Sequence, residues 1–305
     1  MWGDDRLDGF VSLIKPPGMT AHDVVARVRR GLRGERVGHT GTLDPDAAGL
    51  LVLAVGRARH LLAWADLSPK EYWGRAVLGW ATDSLDAAGA PVGRSYPPWP
   101  RRTDWERAGR WLVGHGLTLP PAVSAKRVRG RRAYDAAREG VPVWLPPTAV
   151  LVHDLTVESA LGNVATFIAT TGGGVYIRAL VRDWGLAMGH AAHLAALIRT
   201  RQGPFRIESA ATLEEWEADH QGWDGRWQSV WPGPVLSVGE PDRDRILRGQ
   251  RPTGVAWAGP TALAWADTLL AVVDDEGFRH VFVDGGGWRG RRASAINGQA
   301  GWAGT

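Results

Sequence analysis

Residues 38–56 read GHTGTLDPDAAGLLVLAVG, and this stretch constrains the fold of the 305-residue chain more than any other. Asp44 stands immediately before Pro45, which biases it away from the helical region. Gly38, Gly41 and Gly49 allow turns and the close approach of a ligand. The segment then runs into the apolar stretch 50–55, which has the length and composition of a buried strand. The sequence therefore presents the Asp44 carboxylate on a rigid loop at the start of a core strand. An isolated Leu-Asp-Pro tripeptide fits a turn aspartate bonded to its own backbone better, so the remaining stretches have to carry the functional reading.

A chain of this length can hold one sizeable core and a smaller second unit. It has no cysteine, which removes disulfide scaffolds and thiolate metal sites from consideration. The first twenty residues hold no signal-peptide core and no apolar run reaches membrane-spanning length, so a cytoplasmic protein is expected. A net charge of +4 favours nucleic acid only weakly over other partners. Nearly all of the positive charge is arginine, the three lysines being Lys15, Lys70 and Lys126.

Residues 9–15 read as a buried strand ended by Pro16-Pro17-Gly18, and Thr20 to Asp23 as a capping box opening a helix that ends near Gly34. A helix is expected over 58–65. Residues 70–79 read as a strand with Lys70 and Tyr72 on one face, followed by the polar loop 82–89. After a Pro-rich connection, Thr103 to Glu106 opens a second capped helix reaching about Val113. Five of the seven residues from Lys126 to Arg132 are basic. Such density self-repels unless it meets an anion, and a phosphate backbone fits it, although on the residues alone a solvated charged loop is the commoner reading. Two strands, 150–157 and 164–169, lead to Thr171-Gly172-Gly173-Gly174 and a helix carrying Tyr176 and Arg178. No Gly-Lys-Ser/Thr follows, so this turn is not a nucleotide-binding P-loop. Residues 223–234 read as a linker to a β-rich end with a short helix at 243–249 and strands at 269–273 and 280–283. The tail from Gly285 is Gly/Arg-rich and is expected to be mobile.

Taken together, five of these stretches, spanning roughly residues 9 to 210, resemble the motifs of the TruB family of tRNA pseudouridine synthases, and in the family's order. The resemblance implies an α+β fold: a catalytic domain over 1–225 on a mixed, mainly antiparallel sheet, with its active site in a central cleft. It also implies a thumb-like insertion at about 120–147 and a small β-rich PUA-like RNA-binding domain over 235–305. It assigns Asp44, Tyr72 and Arg178 to catalysis, with Arg178 as the guanidinium partner that holds Asp44 ionised. Substrate contact falls to Lys15, His39, Tyr176 and Leu197, and to Lys126, Arg127, Arg129, Arg131 and Arg132 of the thumb, with Tyr134 continuing that match. The sequence departs from the commonest family pattern at Asp46, Ala48, Thr118 and Val123.

The implied reaction isomerises the T-loop uridine of tRNA. It needs no redox step and no external energy, so neither cofactor nor metal is expected; the expected partner is the tRNA T-arm stem-loop, and the chain is expected to act as a monomer. A buried target base must be flipped out of its loop, and His39 is placed to fill the space it leaves. Asp44 could add to sugar or base as a nucleophile, or remove a sugar proton. Two other readings stay open: a tRNA-binding or folding protein without catalysis, and a synthase acting on another RNA. A carboxylate hydrolase is disfavoured because no second acid accompanies Asp44 at a suitable motif position.

Overall fold

The computed structural model describes residues 8–32, 35–65, 67–121, 145–223 and 226–282, together with the backbone alone of Arg127–Val128, Arg131–Arg132 and Asp224. The chain enters through β1 (Gly9–Lys15), where Phe10, Val11 and Leu13 are fully buried. Helix α1 (Ala21–Gly31) starts at the expected capping box. The Thr20 hydroxyl accepts from the Asp23 amide at 3.1 Å, and the Asp23 carboxylate accepts from the Thr20 amide at 2.8 Å. Val24, Val25 and Val28 form its buried face. Helix α2 (Arg102–Leu112) begins a little earlier than the sequence suggests, because Asp104 rather than Glu106 reaches back, accepting from the Arg101 amide at 2.9 Å. The expected helix over 58–65 is a 3₁₀ helix, Gly56–Ala63, whose buried Ala58 and Leu61 lie three residues apart, the repeat of that helix.

The large sheet gathers strands from most of the chain: β2 (Val37–His39), β3 (Ala48–Val55), β4 (Lys70–Leu78), β7 (Gly114–Thr118), β10 (Thr148–Leu161), β11 (Val164–Thr171), β12 (Ala192–Gln202), β13 (Phe205–Arg206) and β14 (Trp223–Asp224) join β1. Their order is β14-β1-β3-β12-β4-β11-β10-β7, with β2 also on β3 and β13 on β12. Every pairing is antiparallel except β3 with β12, where Ala48 faces Ile198 and Gly49 faces Arg199. Two hairpins stand off this sheet: β5 (Trp80–Thr82) with β6 (Pro91–Arg94), and β8 (Arg127–Val128) with β9 (Arg131–Arg132). Helix α3 (Ile177–Ala187) packs beside α2, with Trp105 edge-on to Trp184 at 4.9 Å.

Because strand side chains alternate, β3 serves two cores at once. Leu51, Leu53 and Val55 pack with α1 and with Trp216 of α4 (Leu213–Asp219). Leu50, Val52 and Ala54 point the other way, toward Phe10, Phe205 and Trp227. The segment expected to be a linker is part of this second core. Trp223 pairs with Val11, Trp227 is fully buried, and Val230 and Trp231 are buried beside it. The same cluster continues into Ala262, Ala264, Leu269, Val272 and Phe282. Those residues belong to a four-stranded sheet, β15 (Val235–Ser237), β16 (Thr261–Trp265), β17 (Thr268–Asp274) and β18 (Gly277–Val281), flanked by α5 (Glu240–Leu247). Tryptophan flanked by glycine and proline suggests an open connection, but here the indoles fill the seam between two sheets.

Candidate active site

The loop between β2 and β3 is held from below by three buried polar side chains, each donating to an oxygen of the loop and, for Lys15 and Arg199, to neighbouring segments as well. Lys15, with no exposed surface, donates to the carbonyls of Pro16 at 2.9 Å, Met19 at 2.6 Å and Pro45 at 2.9 Å. Arg199, 1% exposed, donates from Nε to the Leu50 carbonyl at 2.8 Å and from Nη2 to the Gly41 carbonyl at 3.1 Å. Gln202 donates from Nε2 to the Thr40 hydroxyl at 2.7 Å, and that hydroxyl donates to the Val52 carbonyl at 2.9 Å. Hydrogen bonds from charged donors contribute about 1.5–3 kcal/mol each, so together they fix the loop backbone. Gly49 closes it. It has φ +100°, and a Cβ there would lie 2.4 Å from the Arg199 carbonyl oxygen, so only glycine fits where β3 meets β12.

With its backbone so fixed, the loop projects Asp44 onto Arg178, in the first turn of α3. Arg178 Nη2 donates to Asp44 Oδ1 at 3.1 Å, and Nε lies 2.9 Å from Oδ2, a two-point grip. The guanidinium is 7% exposed and the carboxylate side chain 41%. The charge pair is therefore closed on the arginine side and open on the aspartate side, which is the side a substrate would approach. Burial pushes the Asp44 carboxyl above the ordinary range, Arg178 pulls it down, and Asp86 pushes it up again.

Asp86 is the residue the sequence did not mark. Its Oδ2 lies 3.5 Å from Arg178 Nη1, while its Oδ1 accepts from the Ser84 hydroxyl at 2.5 Å and the Ala88 amide at 3.2 Å. Arg178 Nη1 also donates to the Ser84 carbonyl at 2.7 Å. A second acid thus does accompany Asp44, on the far side of the guanidinium. The 82–89 loop is latched to β12 by two backbone bonds between Leu85, Ala87 and Leu194, and Leu85 takes φ +65° within it. A non-glycine residue in that conformation is uncommon and persists where surrounding bonds over-determine it.

Tyr72 lies on β4 between Ala169 of β11 and Arg199 of β12, 6% exposed, with its side chain beside the Arg199 guanidinium. Leu197, on β12 opposite Gly74, packs against the same core as Tyr72. His39 ends β2 with its ring edge-on to His22 at 5.5 Å, and burial lowers its pKa. Tyr176 caps α3 and lines a cavity of about 180 Å³ with Trp111 and Thr118. Lys15 is placed differently from the sequence expectation of substrate contact: fully buried with three carbonyl partners, it supports the loop from beneath. Burial lowers its pKa to about 8, with Asp46 and Asp44 pulling the other way.

Among the departures from the family pattern, Asp46 is exposed, Ala48 begins β3, and the Thr118 hydroxyl donates to Asp183 at 2.6 Å. Lys126, Arg129, Val123 and Tyr134 lie outside the described residues. Arg127, Arg131 and Arg132 are described as backbone only. Among the described residues no group of three or more His, Asp and Glu side chains is placed to hold a metal ion, and no helix is long and apolar enough to cross a membrane.

This loop, strand and helix arrangement agrees with what comparison to known proteins finds. Residues 29–177 match the family model described as TruB family pseudouridylate synthase, N-terminal domain. A tRNA pseudouridine synthase B from Solibacter usitatus is 42% identical over 212 residues, covering 70% of this chain and 72% of that protein. The chain belongs to the TruB pseudouridylate synthase family. A second TruB relative, the tRNA pseudouridine synthase B of Thermobifida fusca, is 39% identical over 278 residues, 88% of this chain and 94% of that one. Among solved structures, a Cbf5–Nop10–Gar1 complex contains a chain of the same fold. It matches with a TM-score of 0.65 at 24% identity, over 87% of this chain and 78% of that one.

Two further polar residues of this TruB site escaped the sequence reading. Arg199 and Gln202 sit in a run of four polar residues, 199–202, inside a strand that is central in the sheet. Uninterrupted polarity in a central strand is the signal that could have found them.

Proposed function

We propose that this chain isomerises the T-loop uridine of tRNA to pseudouridine, with Asp44 as the catalytic carboxylate. The two-point grip of Arg178 on Asp44, in a loop matching the family's motif, carries this reading. The reaction breaks the N1–C1′ bond, turns the uracil and joins C5 to C1′. The C5 proton leaves and N1 gains one, so nothing is consumed.

Asp44 must be ionised to add to sugar or base or to take a sugar proton, and Arg178 favours that form against the burial that opposes it. The fixed backbone spares the carboxylate any reorganisation as the reaction proceeds. Tyr72, on the strand beside Arg199, stacks on the base and takes the C5 proton at the end. Leu197 packs near the base, and His39 fills the place it vacates. The basic stretch 126–132 grips phosphates of the T-arm and offsets the few kcal/mol of base extrusion. The chain works as a monomer, with residues 235–282 as a second RNA-contacting unit.

The test is to incubate the purified chain with a tRNA transcript, map pseudouridine along it, and repeat with the T-loop uridine changed to cytidine. Modification confined to the T-loop and lost in the altered transcript supports the proposal. Modification elsewhere, or none, overturns it.

A further inference from the structure

Arg178 grips Asp44 at two points, but the histidine that takes the place of the flipped base has no such hold. His39 ends β2 and is half-buried. Among the described residues no group hydrogen-bonds its ring, and its buried Nδ1 has no partner. A side chain left this way keeps several rotamers open. Inserting it into a stack of bases then costs the entropy of fixing it.

What does touch the ring is His22. The two imidazoles lie edge to face, with centroids 5.5 Å apart and planes at 79°, an arrangement that aromatic pairs prefer. His22 is exposed, in the first turn of α1, and the start of that helix is fixed twice over. The capping box of Thr20 and Asp23 brackets His22 in the chain, and Lys15 ties the Pro16 and Met19 carbonyls to that of Pro45. The Gly18 amide also donates to the Pro45 carbonyl at 2.9 Å.

The start of α1 therefore meets the Asp44 loop at both of its ends. Gly18 holds Pro45, directly after Asp44, and His22 meets His39, directly before Thr40. Burial first, and then the neighbouring His22 and Arg199, hold the His39 pKa below the ordinary 6.5, so its ring is uncharged at pH 7. A neutral ring enters a base stack without the desolvation of an ion.

The geometry points to His22 as a positioning residue that braces the His39 ring in the place the flipped uridine vacates. This rests on the proposed function, in which His39 fills that place, and it adds the residue that aims the ring. His22 acts through His39 and not by contact with the reacting base. Its edge-on contact fixes the orientation of the ring before the RNA arrives, so that extrusion of the uridine bears less of the ordering cost.

A double-mutant cycle tests it, using the full chain and a T-arm stem-loop transcript with 2-aminopurine next to the target uridine. Its fluorescence reports extrusion of the neighbouring uridine, and single-turnover pseudouridine formation is followed on the same RNA. His22→Ala is expected to slow both about three- to tenfold, the size of one edge-to-face aromatic contact, with an unchanged melting temperature. In a His39→Ala background the same change is expected to add nothing, because residues that act through one another are not additive. His22→Phe, which keeps a ring at that place, restores the wild-type rates.

Losses that add in the double variant overturn the brace, since His22 then acts apart from His39. Wild-type rates for His22→Ala or for His39→Ala, or failure of His22→Phe to restore them, overturn it as well while leaving the proposed reaction standing. A wild-type chain that leaves the transcript unmodified overturns that reaction and the brace together.

Discussion

The Asp44 loop and the seam with the C-terminal sheet spend their burial on opposite kinds of group. Around the loop, Lys15, Arg199, Gln202 and Arg178 are ionic or polar side chains with at most 7% exposure, each bonded to an oxygen of the chain. At the seam the buried groups are Phe10, Trp227, Trp231, Leu269 and Phe282, and one of the polar contacts is a stacked pair of imidazoles, His60 on His280 at 4.0 Å. The loop fixes one carboxylate in one direction, which demands directional bonds. The seam has only to exclude water, which shape and area accomplish. Substitutions in the two regions should therefore separate activity from stability.

Asp44→Asn is the largest expected effect: at least about a 10³-fold loss of turnover, with RNA affinity and melting temperature close to wild type, read by single-turnover kinetics and calorimetry. A fall in melting temperature of the same severity would collapse the distinction between the regions. Trp227→Ala should do the converse. Removing a fully buried indole costs about 3–5 kcal/mol, measured by denaturant unfolding, and because its cluster spans both sheets the loss should appear in the unfolding of both. Retention of full stability would mean the seam is not a shared core.

Asp86→Asn sharpens the account of the loop, since Asp86 raises the Asp44 pKa through its own negative charge. Removing that charge lowers the Asp44 pKa, so the acid limb of the turnover profile should move to lower pH, with about a tenfold loss in rate from the looser Arg178. A limb moving to higher pH would contradict this electrostatic ordering.

The smallest effect concerns the imidazole pair. Burial, then His60, then Arg57 lower the His280 pKa to about 4. Because the folded value lies below the unfolded one, near 6.5, the unfolded chain takes up the proton first as pH falls. Stability is present above pH 6.5 and is lost between 6.5 and 4. By pH 5 the loss should be about 1 kcal/mol, allowing for a partly exposed ring, and His280→Phe should abolish it in urea unfolding at the two pH values.

The same contrast explains what the sequence made legible. Asp44 stood out as a carboxylate on a rigid loop because the glycines and proline around it record local backbone demands, whereas Tyr72 and Arg178 were marked only by resemblance to the family. The capping box at Thr20 and Asp23 was readable for the same reason. Asp86 was not, because what marks it is contact across the fold with a residue ninety-two positions away in the chain, and its own loop looks like any polar turn. Lys15 was assigned to substrate contact by resemblance alone, and nothing in its local sequence tells that its three protons are spent on backbone carbonyls. The stretch 223–234 failed most clearly. Its Gly, Pro and Trp pattern describes a connection, while the strands that supply the partners of Trp227 lie more than twenty residues away on either side.

The most direct test uses a tRNA transcript carrying tritium at C5 of uridine, with tritium released to water counted for wild type and Asp44→Asn after both are shown to bind the RNA equally. One equivalent released per tRNA by the wild type, from the T-loop position, and none by Asp44→Asn is the result predicted here. Release by Asp44→Asn at the wild-type rate would contradict the central claim that the carboxylate gripped by Arg178 performs the reaction.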